Sequence, residues 1–456
     1  MKLISMFKAI ARDILKLGWP VLIGQLAVMA NGVIDTVMAG RLGPTDLAAV
    51  GIGSSIYFSV FVTLMGVLIA LTPVVAQLYG ARKFAAIGEE VRQSLWLGAF
   101  LTLLAFVLIY FPDPFLALAQ VEPEVEEKTR RYLRTIALGV PAMLIFRVFY
   151  SFSTAVSRPR VIMVLNLVGL ALKVPLNLVF MYGHLGMPAL GGPGCAVSTT
   201  LIAWVTAIAG WAYCRKSAGY APYGVFLHWS WPNWREQVRF LKIGLPIGFT
   251  FLVDVTSFTF MALFIARLGT QSSGGHQIAA NLAALMYMVP LATASAAGVL
   301  VGQAIGAGDL RRARLTGLLG IAGGFGVACA AGLTVWLGRD TIAGLYTGDA
   351  EVRAIAATLL AFVACYHLFD AVSAIAVSVL RGYRKTFVPM LCNIAALWGL
   401  GLGGGYALAF GHVGRAPMGA PGFWLAAATG MLIGSALITA YFLVVSRARA
   451  TEPTVQ

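Results

Sequence analysis

Three aspartates stand inside long apolar stretches: Asp35 in MANGVIDTVMAG, Asp254 in GFTFLVDVTSFTF and Asp370 in ACYHLFDAVSA. A carboxylate at the centre of a membrane-spanning helix costs roughly 2.5–3.5 kcal/mol on insertion scales, so such residues face a wet cavity or a partner and mark an ion or substrate path. Burial disfavours the charged form, which makes the group a receptor for a proton or a cation. A hard cation such as Na⁺ takes carboxylate and hydroxyl oxygens as ligands. A carboxylate neutralised by one cation disfavours a second, which is the physical basis of exchange. One charge moving inward through 100 mV supplies about 2.3 kcal/mol to drive a solute outward.

The neighbours of these acids are polar. Asn31 lies one helical turn before Asp35; Thr250, Thr256 and Ser257 flank Asp254; Tyr366 and His367 precede Asp370 by four and three residues on one helical side. Lys173, in LALKVPLNLVF, reads as a base that snorkels or neutralises an acid such as Asp35, with a direct part in coupling as the alternative. Asn177 follows it by one turn, and Arg147 is expected to pair with an acid in the same way. His276, Gln277 and Asn281 open a later apolar run on one helical surface and are candidates to line a cavity. For each acid the competing reading is a satisfied polar contact between helices.

These residues need long apolar helices to hold them. The chain is 59% hydrophobic and 11% charged, with mean hydropathy +0.84. A soluble domain carries about 25% charged residues, so the composition is that of an integral membrane protein. A spanning helix takes about 20 apolar residues. Such runs occur near 14–39, 47–79, 91–111, 133–156, 160–182, 194–214, 240–266, 276–305, 313–337, 354–380, 386–411 and 421–446, which leaves nothing for a soluble domain. The first residues lack a short apolar core and small-residue cleavage site, so the first helix is expected to be retained. Pro20, Pro73, Pro141, Pro175, Pro246, Pro290 and Pro389 fall inside the runs and predict kinks.

A net charge of +15 invites a nucleic-acid reading, which its distribution excludes. When the loops are assigned alternately to two sides, 22 of the 33 Lys and Arg residues fall on one side and 9 on the other, Arg147 and Lys173 lying within helices. The positive-inside rule puts the richer side, and both termini, in the cytoplasm. That predicts a multi-pass membrane protein, bound to lipid and not to nucleic acid. The five cysteines are scattered without CxxC spacing and read as small buried hydrophobes. No HExxH, GxSxG or phosphate-cradling GxxxxGK occurs, which argues against a membrane enzyme.

The chain also repeats itself. Lys16-Leu-Gly-Trp-Pro20 returns as Lys242-Ile-Gly-Leu-Pro246, Arg41-Leu-Gly43 as Arg267-Leu-Gly269 and Gln77-Leu-Tyr-Gly80 as Gln303-Ala-Ile-Gly306, each 226 residues later. Asn166 pairs with Asn393 at 227, and Leu190-Gly-Gly-Pro-Gly194 with Met418-Gly-Ala-Pro-Gly422 at 228. Each repeat holds six helices, and an even number keeps the two halves the same way up. The division is an amino-terminal lobe over 1–218, a cytoplasmic connector over 219–239 rich in Trp229, Trp231 and Trp234, and a carboxy-terminal lobe over 240–456. The three acids are not relics of the duplication, since Met261 stands 226 after Asp35 and Val28 stands 226 before Asp254.

On Leu17-Gly-Trp-Pro20, Asp35-Thr-Val-Met-Ala-Gly-Arg41, Pro73-Val-Val-Ala-Gln77, Gly302-Gln-Ala-Ile-Gly-Ala-Gly308 and Leu380-Arg-Gly-Tyr383, nearly the whole chain resembles the multidrug and toxic compound extrusion (MATE) family in its NorM-like bacterial branch. The resemblance implies an all-α, V-shaped transporter of twelve helices in two parallel lobes. It implies an antiporter, coupled to Na⁺ or H⁺ and needing no other cofactor, that exports amphipathic, mostly cationic drugs and dyes. In that likeness Asp35 is the first-helix acid, with Pro20 where the helix bends. Asp254 is the seventh-helix acid, and Asp370 with Tyr366 the tenth-helix pair. Asp254 and Asp370 form the candidate Na⁺ site, and Asn31, Lys173, Asn177, Gln277, Asn281 and His367 line the substrate cavity. Two residues depart from the pattern: the seventh-helix acid is commonly Glu, and the fifth helix usually carries Asn where Lys173 stands. Both leave the choice between Na⁺ and H⁺ open. A flippase for lipid-linked precursors is the alternative within the same superfamily. It would need a basic cavity, and Lys173 and Arg147, the two bases placed within the spans, are the features that keep it open.

Overall fold

A computed structural model describes residues 2–119, 122–412 and 416–451. Arg415, one of the cations counted toward the poorer side, lies outside the described residues. The chain is a multi-pass membrane protein built of helices, with no strand among the described residues. In lipid each backbone N–H and C=O must be satisfied within its own segment, which selects helices for these apolar runs. They are α1 (Lys2–Leu42), α2 (Pro44–Gly80), α3 (Phe84–Tyr110), α4 (Pro123–Ala137 with Val140–Ala155), α5 (Pro159–Phe180) and α6 (Gly194–Lys216) in the first repeat. The second repeat contains α7 (Trp234–Ala266), α8 (Thr270–Gly306), α9 (Leu310–Tyr346), α10 (Ala350–Gly382), α11 (Phe387–Ala409) and α12 (Ala420–Thr451).

Eleven of these helices are long and apolar enough to cross a membrane unaided; α4 makes a twelfth only if its two pieces, bent by 47°, count as one span. The bend has a local cause. Leu138 and Gly139 close the first piece, and Pro141 in the first turn of the second lacks the N–H that would continue the ladder. By contrast, α1, α5, α7 and α8 run unbroken through Pro20, Pro175, Pro246 and Pro290. Asp309 caps α9 by accepting from Arg312 N, and Asp349 caps α10 by accepting from Glu351 N and Val352 N.

The duplication is written in the backbone as well as in the sequence. Left-handed or otherwise positive φ recurs in register at Gly43 and Gly269 (145° and 111°), at Arg82 and Gly308 (57° and 77°) and at Ser157 and Arg384 (61° and 57°). It recurs again at Gly183 and Gly411 (78° and 79°) and at Gly191 and Gly419 (67° and 64°). The loop after the fifth helix of each repeat doubles back identically: Leu190 N donates to Phe180 O at 3.0 Å, and Met418 N to Leu408 O at 3.1 Å. Two copies of one six-helix plan therefore follow each other.

Packing divides the chain differently from repetition. One compact unit comprises residues 1–18 with 249–456, the other residues 19–248. The first helix of each repeat thus spends its opening turns in the unit made mostly of the other repeat. The changeovers, after Gly18 and after Gly248, sit beside Pro20 and Pro246. In the first unit Ile10, Ile14 and Leu17 of α1 bury against Ala296 of α8. In the second, Gly248 of α7 lies so near α2 that an added Cβ would stand 2.6 Å from Thr63 O. Small residues let helices approach this closely in lipid.

The connector is fastened to α3. Buried Arg92 donates to the carbonyls of Gly224 and Val225 at 2.9 and 3.2 Å, and Trp96 Nε1 donates to Ser230 O at 3.0 Å. Burial pushes the Tyr220 phenol up to about 12. Trp229 and Trp231 both touch the Trp96 ring while remaining 70% and 75% exposed, the partition that suits a bilayer interface. Gly88 permits this seat, since a Cβ there would lie 2.1 Å from Tyr223 O. Gly88→Val is therefore expected to lower stability by about 1–3 kcal/mol through overpacking, read as a fall in thermal midpoint in detergent. An unchanged midpoint would contradict the close contact.

Candidate functional site

The unit over 19–248 places Asp35 at the centre of a polar cluster. Lys173 Nζ lies 2.8 Å from Asp35 Oδ2, the lysine 1% and the acid 14% exposed at the side chain. Asn177 Nδ2 donates to Asp35 Oδ1 at 2.8 Å, so each carboxylate oxygen has its own donor. The ammonium has three donors to satisfy. Besides Asp35 it donates to Thr199 Oγ1 at 2.5 Å and points at Cys195 O at 3.4 Å. Lys173 and Asn177 share one face of α5 four residues apart, which is why both reach α1. Asn177 Oδ1 and, one turn before the acid, Asn31 Oδ1 are buried without a protein hydrogen-bond partner. A groove of about 460 Å³ runs beside the cluster, lined by Val33, Val37, Met38, Val174, Leu178 and Tyr182 with Arg41.

Neutrality is the main property of this cluster. One fully coordinated ammonium and one carboxylate bonded at both oxygens compensate each other. A proton or Na⁺ arriving at Asp35 must displace Lys173, because protonating the acid alone would strand a buried positive charge, at a cost of several kcal/mol.

The unit over 249–456 holds the other two acids in different surroundings. Asn393 Nδ2 donates to Asp254 Oδ1 at 3.3 Å. Asp254 and Asp370 lie within electrostatic reach of each other and of the Tyr287 and Tyr366 hydroxyls. The charge of Arg381 also reaches Asp254. Tyr366 is fixed edge-on to both Phe258 and Trp424, in the core of the unit. The helix carrying Asn393 then widens into π-helical turns over Ile394–Gly404, where Trp398 Nε1 donates to Thr256 Oγ1 at 3.2 Å. Such widening frequently accompanies functional sites because it re-aims side chains within a continuous helix. No group of three or more His, Cys, Asp or Glu residues that could hold a metal occurs among the described residues, so a Na⁺ ion here would rest on Asp254, Asp370 and neutral oxygens.

The remaining expectations divide. His367 is buried beside Tyr366. Gln277 and Asn281 are exposed, Asn281 Oδ1 accepting from Tyr346 OH at 3.1 Å. His276 does not share their surface, contrary to expectation: it is 3% exposed, and its Nδ1 accepts from Trp424 Nε1 at 3.3 Å. Consecutive helical residues diverge by about 100°, so His276 turns inward where Gln277 turns out. Arg147 is a second correction. It stacks over the Tyr150 ring at 4.6 Å and pairs with no carboxylate among the described residues, because no acid lies opposite it. Pro20 is buried within an unbroken α1.

Two partners were not read from the sequence. Asn393 had a signal in the repeat: its counterpart Asn166 donates to Gly24 O at 3.2 Å, so both asparagines bond the first helix of their own repeat. Only in the second does a carboxylate stand there to receive the bond. Thr199 carried no signal, being one hydroxyl among several in α6.

The chain is similar to known proteins along nearly its whole length. The pattern of the MatE family matches twice, over residues 20–179 and 246–407, once in each repeat. A probable multidrug resistance protein NorM of Aromatoleum aromaticum is 41% identical over 431 residues, covering 94% of this chain and 93% of that protein. The multidrug resistance protein PmpM of Pseudomonas aeruginosa is 38% identical over 432 residues, covering 94% and 90%. Among solved structures, the eukaryotic MATE transporter AtDTX14 superposes with a TM-score of 0.88 at 18% identity, over 97% of this chain and 99% of its own. A mutant of the Vibrio cholerae MATE transporter VcmN superposes with 0.88 at 19%, over 97% and 98%.

Proposed function

The chain belongs to the MatE family, in its NorM-like branch, and from that membership we propose that it is a multidrug efflux transporter driven by cation exchange. Its work is transport and not catalysis. The cargo is amphipathic and mostly cationic, drugs and dyes, carried outward across the bacterial inner membrane by alternating access in a single chain with both termini cytoplasmic. The coupling ion is a monovalent cation, H⁺ or Na⁺.

The observation that carries this reading is the contrast between the two acid clusters. Asp35 is compensated by Lys173 at 2.8 Å. Asp254 and Asp370 lie within reach of each other, and the one guanidinium charge that acts on the pair, Arg381, reaches Asp254, which leaves the two acids short of neutrality by one positive charge. Two buried like charges cannot both stay ionised without a counter-charge, so this cluster takes up one monovalent cation per cycle. Tyr366 and Tyr287 offer the neutral oxygens. In the Asp35 cluster Lys173 serves as a resident cation with which a cationic cargo or ion competes, Asn31 and Asn177 offering free amide oxygens. Gln277 and Asn281 line the path of the cargo, with His367 buried in the wall behind it, and Pro20 is the point at which α1 bends in the transport cycle.

Expression in a drug-sensitive bacterial host tests the assignment. Cells making the protein are expected to accumulate several-fold less ethidium than cells carrying the empty vector, and equal accumulation would overturn it. The flippase alternative gains nothing from the geometry. Of the two bases it needs, Lys173 is neutralised by Asp35 and Arg147 lies over Tyr150.

A further inference from the structure

We propose that the outer face of α6 is a specific binding site for an anionic phospholipid, with an acyl chain in an apolar groove and its phosphate on Arg215 and Lys216. A groove of about 660 Å³ runs along this helix, and its wall includes Trp204, Ala207, Ile208, Trp211 and Ala212, with Ile145 of α4 opposite. The α6 positions follow the i, i+3, i+4, i+7 pattern of a single helical face. From Trp204 to Arg215 the helix rises about 16 Å, close to half of a hydrocarbon core about 30 Å thick. The groove is thus about as long as one leaflet is deep.

Its walls are fixed in place. Trp204 Nε1 donates to Leu138 O at 3.1 Å and Trp211 Nε1 to Ile145 O at 3.3 Å, so both indoles are anchored on α4 at and beyond its bend. Phe226 of the connector meets the Trp211 ring edge-on at 6.0 Å and closes the end of the groove near the basic pair.

Charge selects the headgroup. Arg215 and Lys216 line the same groove, are exposed, and have no ion-pair partner among the described residues. The sequence offers none nearby: no Asp or Glu occurs between Glu127 and Glu236. Two uncompensated cations at the end of an apolar slot match a phosphate ester joined to acyl chains, and neither free phosphate nor a neutral lipid satisfies both halves. Basic pockets at the ends of spanning helices bind anionic headgroups for this reason.

Native mass spectrometry of the purified full-length protein, supplied with phosphatidylglycerol or phosphatidylcholine of the same chains, tests the site. The wild type is expected to retain phosphatidylglycerol in preference to phosphatidylcholine. Arg215→Gln with Lys216→Gln is expected to weaken that retention about thirty-fold, from about 1 kcal/mol per basic side chain near the membrane surface. Ala212→Trp, which fills the groove from its exposed rim and leaves both charges, is expected to displace the lipid as well. Arg235→Gln, a cation outside the groove, is expected to change nothing. Retention unaltered by the double substitution, or unaltered by Ala212→Trp, would overturn the site. So would an equal loss in Arg235→Gln, which would mark a general effect of surface charge. None of these readings depends on drug transport, so the efflux assignment can fail without them.

Discussion

Replacing Lys173 with methionine is expected to destabilise the protein by about 3–5 kcal/mol, and replacing Asp35 with asparagine in the same chain to return most of that loss. The size follows from burial: removing one partner of a buried ion pair leaves the other charge uncompensated, whereas replacing both removes the problem. Lys173 is 1% exposed and Asp35 14%, so solvent screens little of the charge left behind. In the double variant Asn177 still donates to residue 35, and Thr199 keeps its own bond to Cys195 O at 2.9 Å. Thermal denaturation in detergent of the wild type, the two single variants and the double variant closes the cycle. Additive losses would show that the two groups do not act as a pair. The functional corollary is specific to this chain. With Lys173 gone, Asp35 is an open anionic site, and any cationic cargo or ion that competes with the lysine should bind more tightly.

The largest functional effect is expected at the other cluster. Asp254→Asn and Asp370→Asn, singly, are each expected to reduce efflux at least a hundred-fold with little change in the amount of protein in the membrane. Each substitution removes the negative charge that demands a cation while keeping the size of the side chain. Asn at 254 still accepts from Asn393, so the contact between α7 and α11 survives. Stability should hold or rise, since one of two mutually repelling buried charges is gone. Loss of efflux with intact folding separates coupling from scaffolding. Normal efflux in both variants would remove these acids from the mechanism.

How much of this was legible beforehand depended on whether the signal was local. Twelve apolar runs and a repeat at 226–228 residues gave the helices and their order, because lipid leaves the backbone few alternatives. The runs could not show that α4 breaks at Gly139 while α1 continues through Pro20, since the same residue type kinks one helix and is absorbed by another. Nor could they show the exchange of opening turns at Gly18 and Gly248, which is a matter of packing. At the sites, the acids were visible because a charge in an apolar run stands out. Lys173 was visible for the same reason, and the structure supplies its partner. Asn393 was marked by the repeat but not by the acid it bonds, and Thr199 is an ordinary polar residue that acquires meaning only from what faces it. His276 and Arg147 stood out as strongly as the acids, yet pack against Trp424 and Tyr150, where an aromatic neighbour takes the place of a charged one.

The central claim, that inward movement of one cation at Asp254 and Asp370 drives cargo outward, is tested most directly in proteoliposomes holding the purified protein and a fluorescent cationic dye. Proton and sodium gradients are imposed separately at matched membrane potential. Dye movement that follows one of the two gradients, reverses with its direction and is lost in Asp254→Asn and Asp370→Asn is the predicted result. Dye movement indifferent to both gradients, or equally gradient-driven in the two variants, would contradict the account.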